Sequence, residues 1–327
     1  MMKVNLKNLG LLASVFFTGS AVLIIEIIAI RMLSPHYGNT IYATSSVIGV
    51  ILAALSVGYW VGGIIADKHP RHAVFYAIIC ISGIAVILMQ FSSGMLLKFL
   101  GVALSITQGP LISSLLLFFA PAFLLATLSP LAVKLYNQGN QNLGRQTGNI
   151  FFWSTLGSIN GTILAGFFLI PSFGIDAIII ATGTLLGRWG LAGFVWSGPV
   201  NKKIVLLMAA ALIFSLSLLY FFLTPKNSDI LYQKDGVYEK ITIQDGVWGL
   251  WPARFLFQDK SYSAAMYLNS NELVFDYTKY YSLYELINPT ATKALVIGGG
   301  AYSIPKALLQ DSPDMHVDVA EIEPSLI

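Results

Sequence analysis

A run of three glycines, followed about 20 residues later by a glutamate, is the stretch whose residue types and spacing point most directly to chemistry. Gly298, Gly299 and Gly300 come after the short apolar run ALVI, which is typical of a β-strand. Glycines let the backbone turn sharply where a Cβ would block a bound nucleotide. Glu321 can offer a carboxylate to a ribose diol. The pattern predicts half of a nucleotide-binding site, and an ordinary turn with glycines is the alternative.

The elements that must position these residues are a strand, a helix and a second strand. Ser303 is predicted to cap the helix, and Pro305 fits only in its first turn. Asp311-Ser312-Pro313 ends the helix, and Val317–Ile322 alternates like a strand that carries the glutamate at its carboxyl end. We therefore expect an incomplete nucleotide-binding βαβ unit over residues 291–327.

Much of the remaining chain is apolar enough to lie in lipid. Of its 327 residues, 56% are hydrophobic and 11% are charged, and the mean hydropathy is +0.72. Residues 1–224 carry 11 Lys and Arg against 3 acidic residues, whereas residues 225–327 carry 8 against 13. The cations lie singly or in pairs, which excludes a nucleic-acid-binding footprint. The four histidines are too widely scattered for a metal site, so we expect no metal.

Seven apolar segments in residues 1–224 are long enough to cross a bilayer as helices, which predicts a polytopic α-helical membrane bundle. They are Gly10–Leu33, Ile41–Ala66, Ala73–Ser92, Leu111–Val133, Gly148–Ile170, Ile175–Trp196 and Ile204–Leu223, the fourth interrupted by Pro121 and Pro130. Met95–Thr107 is too short to cross, so we expect a half-span or a surface helix there. Small residues in two spans are predicted to allow close helix approach: Gly49, Gly58, Gly62 and Gly63, and then Gly157, Gly161 and Ala165.

Glu26 and Arg31 form a candidate polar site inside the first span. Both are costly in lipid unless they face the bundle interior. Their five-residue spacing places them about 140° apart around a helix, so each needs a partner on another span or at the interface. A structural polar contact and a cation site are the two interpretations.

The pattern changes after Pro225 to alternating strands. Val237–Gln244 and Arg254–Leu268 read with period two, which predicts a small β-hairpin domain over residues 225–290. Asp276–Ile287 is rich in tyrosine and has helical spacing.

Several motifs resemble the spermidine synthase (aminopropyltransferase) family, in particular its bacterial membrane-fused members. In the second half of the chain they are LVIGGG followed by VAEIEP, FQD with Ser263-Ala264, and Asp276 with Tyr280-Tyr281. In the first half, IIEIIAIRML and the Gly-rich second span are similar as well. The resemblance covers nearly the whole chain.

The resemblance implies a Rossmann-like, methyltransferase-type α/β fold that starts after the β-hairpin domain. It implies that Glu321 holds the ribose of decarboxylated S-adenosylmethionine or a related nucleotide, bound as a substrate, above the three glycines. A polyamine nitrogen would attack the aminopropyl carbon, and an acidic residue must hold the amine and take its proton. Asp276 is the candidate for that role, and Tyr280 is a candidate substrate contact or a packing residue.

The sequence departs from the family pattern at three places. Ala301 and Tyr302 stand where the family's glycine turn continues with Asp-Gly, and the family's glutamine near Ser263 is missing. The family's catalytic acidic segment and further strands would lie beyond Ile327, so we expect a piece of a longer reading frame without a complete active site.

Two functions follow as hypotheses. The first is a membrane-anchored aminopropyltransferase-like enzyme that acts on a polyamine; the alternative is a transporter or sensor of polyamines or related cations, with Glu26 as its site. We expect a multi-pass protein of the bacterial inner membrane, in contact with the lipid bilayer and without nucleic acid, and homo-oligomerisation stays open. The basic loops place the N-terminus in the cytoplasm, so a cytoplasmic soluble domain requires an eighth span, for which Met95–Thr107 is the candidate.

Overall fold

The computed structural model describes residues 6–137, 142–198, 202–223, 230–236, 239–259 and 261–327. It divides into two compact units, Met1–Pro225 and Lys226–Ile327. Within the described ranges, six helical stretches of the first unit are long and apolar enough to cross a membrane: Lys7–Tyr37, Ile41–Lys68, His72–Ala103, Gly109–Tyr136, Leu143–Phe173 and Ile175–Trp196. Their length and composition make the chain a multi-pass membrane protein.

The first unit is built from helices alone in its described part. They are α1 (Leu6–Tyr37), α2 (Ile41–Lys68), α3 (His72–Ala103), α4 (Gly109–Ala126), α5 (Leu128–Tyr136), α6 (Leu143–Leu164), α7 (Ile170–Phe173), α8 (Ile175–Trp196) and α9 (Lys202–Leu223). A π-helical segment, Ala165–Leu169, joins α6 to α7. The seventh predicted span corresponds to α9, although the side chains of residue 215 and of residues 217–223 lie outside the described part.

The prediction of a separate half-span or surface helix over Met95–Thr107 is wrong, because α3 continues without a break to Ala103. The hydroxyl of Ser92 donates to the carbonyl of Met89 at 3.0 Å, and that of Ser93 donates to the carbonyl of Gln90 at 2.8 Å. Both serines therefore satisfy their polar groups on the helix itself. The continuous helix α3 therefore also rules out an eighth span formed by Met95–Thr107.

Prolines explain two irregularities of the spans. Pro130 has no N–H to donate to Ala126, and α4 and α5 are separated at Thr127, in the turn just before this proline. Pro171 likewise follows the π-helical segment, where the missing N–H widens the turn. Pro121 lies inside α4 without a break, so the predicted interruption at that residue is wrong.

Small residues bring α1 and α6 into close contact. A Cβ on Gly157 would overlap the carbonyl oxygen of Phe16, and one on Gly161 would overlap that of Ser20. The Ser20 hydroxyl donates to the carbonyl oxygen of Gly157 at 2.6 Å. Ala165 is fully buried. The small face predicted for the fifth span is therefore confirmed as a packing surface.

In the second span only half of the predicted glycine surface packs closely. A Cβ on Gly58 would lie 2.6 Å from the carbonyl oxygen of Phe123, and one on Gly62 the same distance from that of Thr127. Gly49 and Gly63 have no neighbour within 4 Å of such a Cβ, so their predicted packing role is wrong.

The second unit begins with a four-stranded antiparallel sheet in the order β1 (Ile230–Asp235), β2 (Lys240–Trp248), β3 (Trp251–Gln258) and β4 (Ser261–Tyr267). The predicted β-hairpin domain is thus confirmed as a small antiparallel sheet, although Val237 and Tyr238 lie outside the described residues. Its core is formed by Ala253, Phe255, Ala265, Val274 and Phe275.

The segment after the sheet carries short helices and a second, parallel pair of strands. The helices α10 (Asp276–Lys279) and α11 (Tyr284–Ile287) flank a 3₁₀ turn, Tyr280–Leu283. They are followed by β5 (Lys293–Ile297), α12 (Ser303–Asp311) and β6 (His316–Ala320), and β5 pairs with β6 from Lys293↔His316 to Ile297↔Ala320. The predicted order of strand, turn, helix and strand is therefore present.

We predict that Gly157→Ala destabilises the membrane unit, because the new methyl group must separate α1 from α6. Overpacking of this kind costs about 1–3 kcal/mol. Gly148→Ala on the same helix is the matched control, since a Cβ there meets nothing within 4 Å. Thermal unfolding in detergent, followed by size-exclusion chromatography, measures both variants. Equal melting temperatures for the two variants would contradict the packing assigned to Gly157.

Candidate functional site

The carboxyl ends of β5 and β6 bring the three glycines and Glu321 together. Parallel strands end at the same edge of a sheet, and the backbone N–H of Gly298 continues the pairing by donating to the carbonyl of Ala320 at 2.8 Å. Gly298 and Gly300 have φ angles of 88° and 53°, which favour glycine. The sequence therefore folds locally into a turn whose backbone amides face the residue that follows β6.

The Glu321 carboxylate binds this turn directly. Its Oε2 accepts hydrogen bonds from the backbone N–H of Gly299 at 2.7 Å and of Gly300 at 3.2 Å. Its Oε1 accepts one from the backbone N–H of Glu323 at 2.9 Å. The pKa of Glu321 lies below its usual range, mainly because the carboxylate accepts the hydrogen bond of the Glu323 N–H. Burial opposes this shift, and the N–H groups of Gly299, Gly300 and Ile322 add to it. The group is therefore an anion at neutral pH.

Tyr302 closes one side of the same turn. Its backbone is left-handed, with φ 57° and ψ 23°, an uncommon conformation for a residue with a side chain. A Cβ on Gly299 would lie 3.0 Å from the Cζ atom of the phenol ring. Tyr302 is also the N-cap of α12, while Ser303 is its first helical residue. The prediction that Ser303 caps the helix is wrong, whereas Pro305 lies in the first turn as predicted.

The antiparallel sheet contacts the other side of the turn. A Cβ on Gly300 would lie 3.7 Å from that of Ala264 and 3.8 Å from the hydroxyl of Ser263. Ser263 donates a hydrogen bond to the side-chain oxygen of Gln258 on β3. Ala301 packs against the cluster Ile241, Leu256 and Ala264. The methyl group at position 301 thus has a packing role.

Asp276 and Tyr280 lie outside this arrangement. The Asp276 side chain is 93% exposed and accepts a hydrogen bond from Lys279 at 3.0 Å, which raises the pKa of that lysine. Tyr280 is exposed in the 3₁₀ turn. In the described part of the chain no hydrogen bond or ion pair connects either residue to the glycine turn, so their catalytic role stays a prediction.

Glu26 and Arg31 lie half-buried on α1, the helix that contacts α2, α3, α4, α5, α6 and α8. No ion pair joins these two residues within the described ranges, which agrees with their angular separation on the helix. Their role as a membrane polar site stays a prediction.

A cavity of about 510 Å³ lies beside α1, between α6 and α8. Its walls are mostly apolar side chains such as Phe16, Ile24, Leu164 and Trp189, and Glu26 is not among them. A polyamine carries several positive charges, and these walls offer no carboxylate to balance them.

Comparisons with protein-family models, with curated proteins and with solved structures found no match to the chain.

Sequence reasoning missed the role of Glu323. This residue is 2% exposed, and its side chain accepts a hydrogen bond from the backbone N–H of Ser325 at 3.1 Å, so that it caps the 3₁₀ turn Pro324–Leu326. A Cβ on Gly236 would lie 2.7 Å from its Oε2. The signal was an acidic residue directly before a proline, which is typical of the start of a helical turn.

We predict that Glu321→Ala increases hydrogen exchange at the amides of Gly299 and Gly300, because both lose their acceptor. Hydrogen–deuterium exchange mass spectrometry of the full chain in detergent, on a peptide that spans the turn, measures the effect. Asp318→Ala is the matched control, since it removes an exposed carboxylate from β6, the strand that precedes Glu321. Unchanged exchange in the Glu321 variant would show that the carboxylate does not hold the turn in solution.

Proposed function

We propose that the chain is a membrane-anchored protein of the aminopropyltransferase type, whose second unit binds an S-adenosylmethionine-type nucleotide as substrate. One observation carries the proposal. The backbone amides of Gly299 and Gly300 converge with the Glu321 carboxylate at the carboxyl edge of two parallel strands. In open α/β folds this edge is where nucleotides bind, with the acidic residue on the ribose.

The finer fold assignment belongs to the same proposal. The strands β5 and β6, connected through α12, correspond to the first unit of a Rossmann-like, methyltransferase-type fold. Leu295 and Ile297 are exposed on β5, although parallel sheets are usually covered on both faces. The resemblance to the spermidine synthases implies further strands and a covering helix at this sheet.

The reaction of such a site is a nucleophilic displacement at carbon. A polyamine nitrogen attacks the aminopropyl carbon of decarboxylated S-adenosylmethionine, so that a C–N bond forms while the C–S bond breaks. The electron pair of that bond moves to the sulfonium sulfur, which becomes a thioether. The nitrogen then gives its proton to a carboxylate, for which Asp276 is the residue we assign. Asp276 would have to exchange its contact with Lys279 for one with the amine.

Transport of polyamines is the weaker candidate. A path for a polycation through a bilayer needs polar or acidic groups around an aqueous space. The cavity described above is lined mostly by apolar side chains, and Glu26 lies outside it. We therefore place the polyamine at the second unit, and the bacterial inner membrane and the cytoplasmic side of that unit belong to this proposal.

We predict that the full chain in detergent binds decarboxylated S-adenosylmethionine and that Glu321→Ala weakens this binding at least about tenfold, because charge-assisted hydrogen bonds are worth about 1.5–3 kcal/mol each. Thermophoresis titrations give the dissociation constants. Glu321→Gln keeps an acceptor for the turn but loses the negative charge, so its affinity should lie between those of the unchanged chain and Glu321→Ala. Asp318→Ala is the control and should bind like the unchanged chain.

Two results would contradict the proposal. The unchanged chain could fail to bind the nucleotide at all, or Glu321→Ala could bind it as well as Asp318→Ala does. Exchange at Gly299 and Gly300, measured on the same samples, separates loss of the turn from loss of the ribose contact.

We also predict that Tyr302 weakens nucleotide binding, because its ring lies against Gly299. Tyr302→Gly removes the ring and also relieves a left-handed backbone that costs about 1–2 kcal/mol. Tyr302→Ala removes the ring alone. If the ring obstructs the ligand, both variants gain affinity; if only the backbone matters, the glycine variant alone gains. Equal affinities for all three proteins would show that the ring points away from the ligand.

A further inference from the structure

The hairpin between β2 and β3 ends in a compact apolar tip, here called the hairpin tip and defined as residues 247–251, VWGLW. Trp248 pairs with Trp251 across the hairpin, and Gly249 makes the turn with φ 64°. The exposed fraction is 92% for Leu250, 67% for Val247 and 65% for Trp251. These three apolar side chains of the tip therefore lie largely outside the core of the second unit.

The structure holds this tip in a defined position. The Trp248 ring packs edge-on against Phe275 with ring centroids 5.3 Å apart, so one of the two tryptophans fixes the hairpin to the core. Eight ladder pairs connect β2 to β3 up to the turn. The remaining side chains are presented outward on a stiff support, as expected for an anchor with a partner outside the unit.

The charge pattern along the hairpin separates a polar base from an uncharged end. Residues 246–253 carry no charge. Asp245 and Arg254 form an ion pair of 2.8 Å across the base, and Arg254 lowers the pKa of Asp245. Tryptophan flanked by apolar residues and then by charges is the composition found at membrane–water interfaces.

The chain itself keeps the second unit near a membrane. Residues 224–229 are the six residues between the end of α9 at Leu223 and the start of β1 at Ile230. A stretch of this length reaches at most about 25 Å. α9 has 22 residues, which is enough to cross the hydrocarbon core of a bilayer. If α9 crosses the bilayer, this connection keeps the start of β1 within about 25 Å of the end of that helix.

From this juxtaposition we propose that the hairpin tip inserts into the lipid–water interface of the bilayer that holds the helical unit. Leu250 and Trp251 enter the boundary between headgroups and acyl chains, while Asp245 and Arg254 stay in water. The contact provides a second attachment of the second unit to the membrane besides the covalent one. It does not depend on the function proposed above.

Site-specific labels on the full chain test this proposal. The only cysteine, Cys80, is fully buried and is replaced in a Cys80→Ser background. Leu250→Cys then carries the environment-sensitive dye nitrobenzoxadiazole at the tip. Ile287→Cys, at the end of α11 and 86% exposed, is the matched control outside the hairpin. Both proteins are placed in nanodiscs that hold one chain each, with and without lipids that carry a nitroxide quencher near the headgroup.

The proposal requires a blue-shifted emission at position 250 that nitroxide lipids quench, together with a water-like, unquenched emission at position 287. Val247→Cys gives a second label on the tip and should behave like position 250. Equal water-like emission at both places would overturn the proposal. Shielding of the tip in discs with two chains, and its loss in discs with one chain, would identify a second copy as the partner and would also overturn it.

Discussion

The close contact of α1 with α6 is the interaction on which the membrane unit depends. Apolar side chains gain little by leaving lipid for one another, so helices in a bilayer associate through close packing and interhelical hydrogen bonds. The contact at Gly157 and Gly161 provides the packing, and the Ser20 hydroxyl provides the hydrogen bond. Because α1 also contacts five other described helices, its position sets theirs. Glu26 and Arg31 are therefore carried by a helix that packs against many others.

In the second unit, the Glu321 carboxylate stabilises the glycine turn, because it accepts hydrogen bonds from the backbone amides of that turn. Its oxygens already accept backbone hydrogen bonds, so a ribose diol bound as we propose would have to share or displace them. Two neighbouring residues restrict the turn further. Ala301 packs against the sheet, and Tyr302 covers Gly299. The nucleotide binding that we propose for this site would therefore be coupled to the conformation of the turn.

The sequence predicts where elements lie better than it predicts how they contact one another. Apolar length and flanking turn residues predicted the sixth span, Ile175–Trp196, with the bounds of α8. Glu321 was predicted at the carboxyl end of a strand over Val317–Ile322, whereas it lies directly after β6. The continuation of α3 was missed because Ser92 and Ser93 can end a helix or bond back to it, and tertiary packing decides between the two. The contrast between Gly58 and Gly49 likewise depends on the neighbouring helix, which a single sequence does not specify.

The number of crossings connects the membrane unit to the chemistry of the second unit. An odd number of crossings places the residues after the last one on the side opposite the N-terminus, and α3 removes the eighth span that would have made the number even. If α9 also crosses the membrane, the basic loops place the second unit outside the cytoplasm, whereas a cytosolic nucleotide requires it inside. Insertion of the hairpin tip does not depend on which side of the membrane the second unit occupies, because both leaflets present a headgroup boundary to tryptophan and leucine. An attachment through the tip therefore serves the second unit on either side of the membrane.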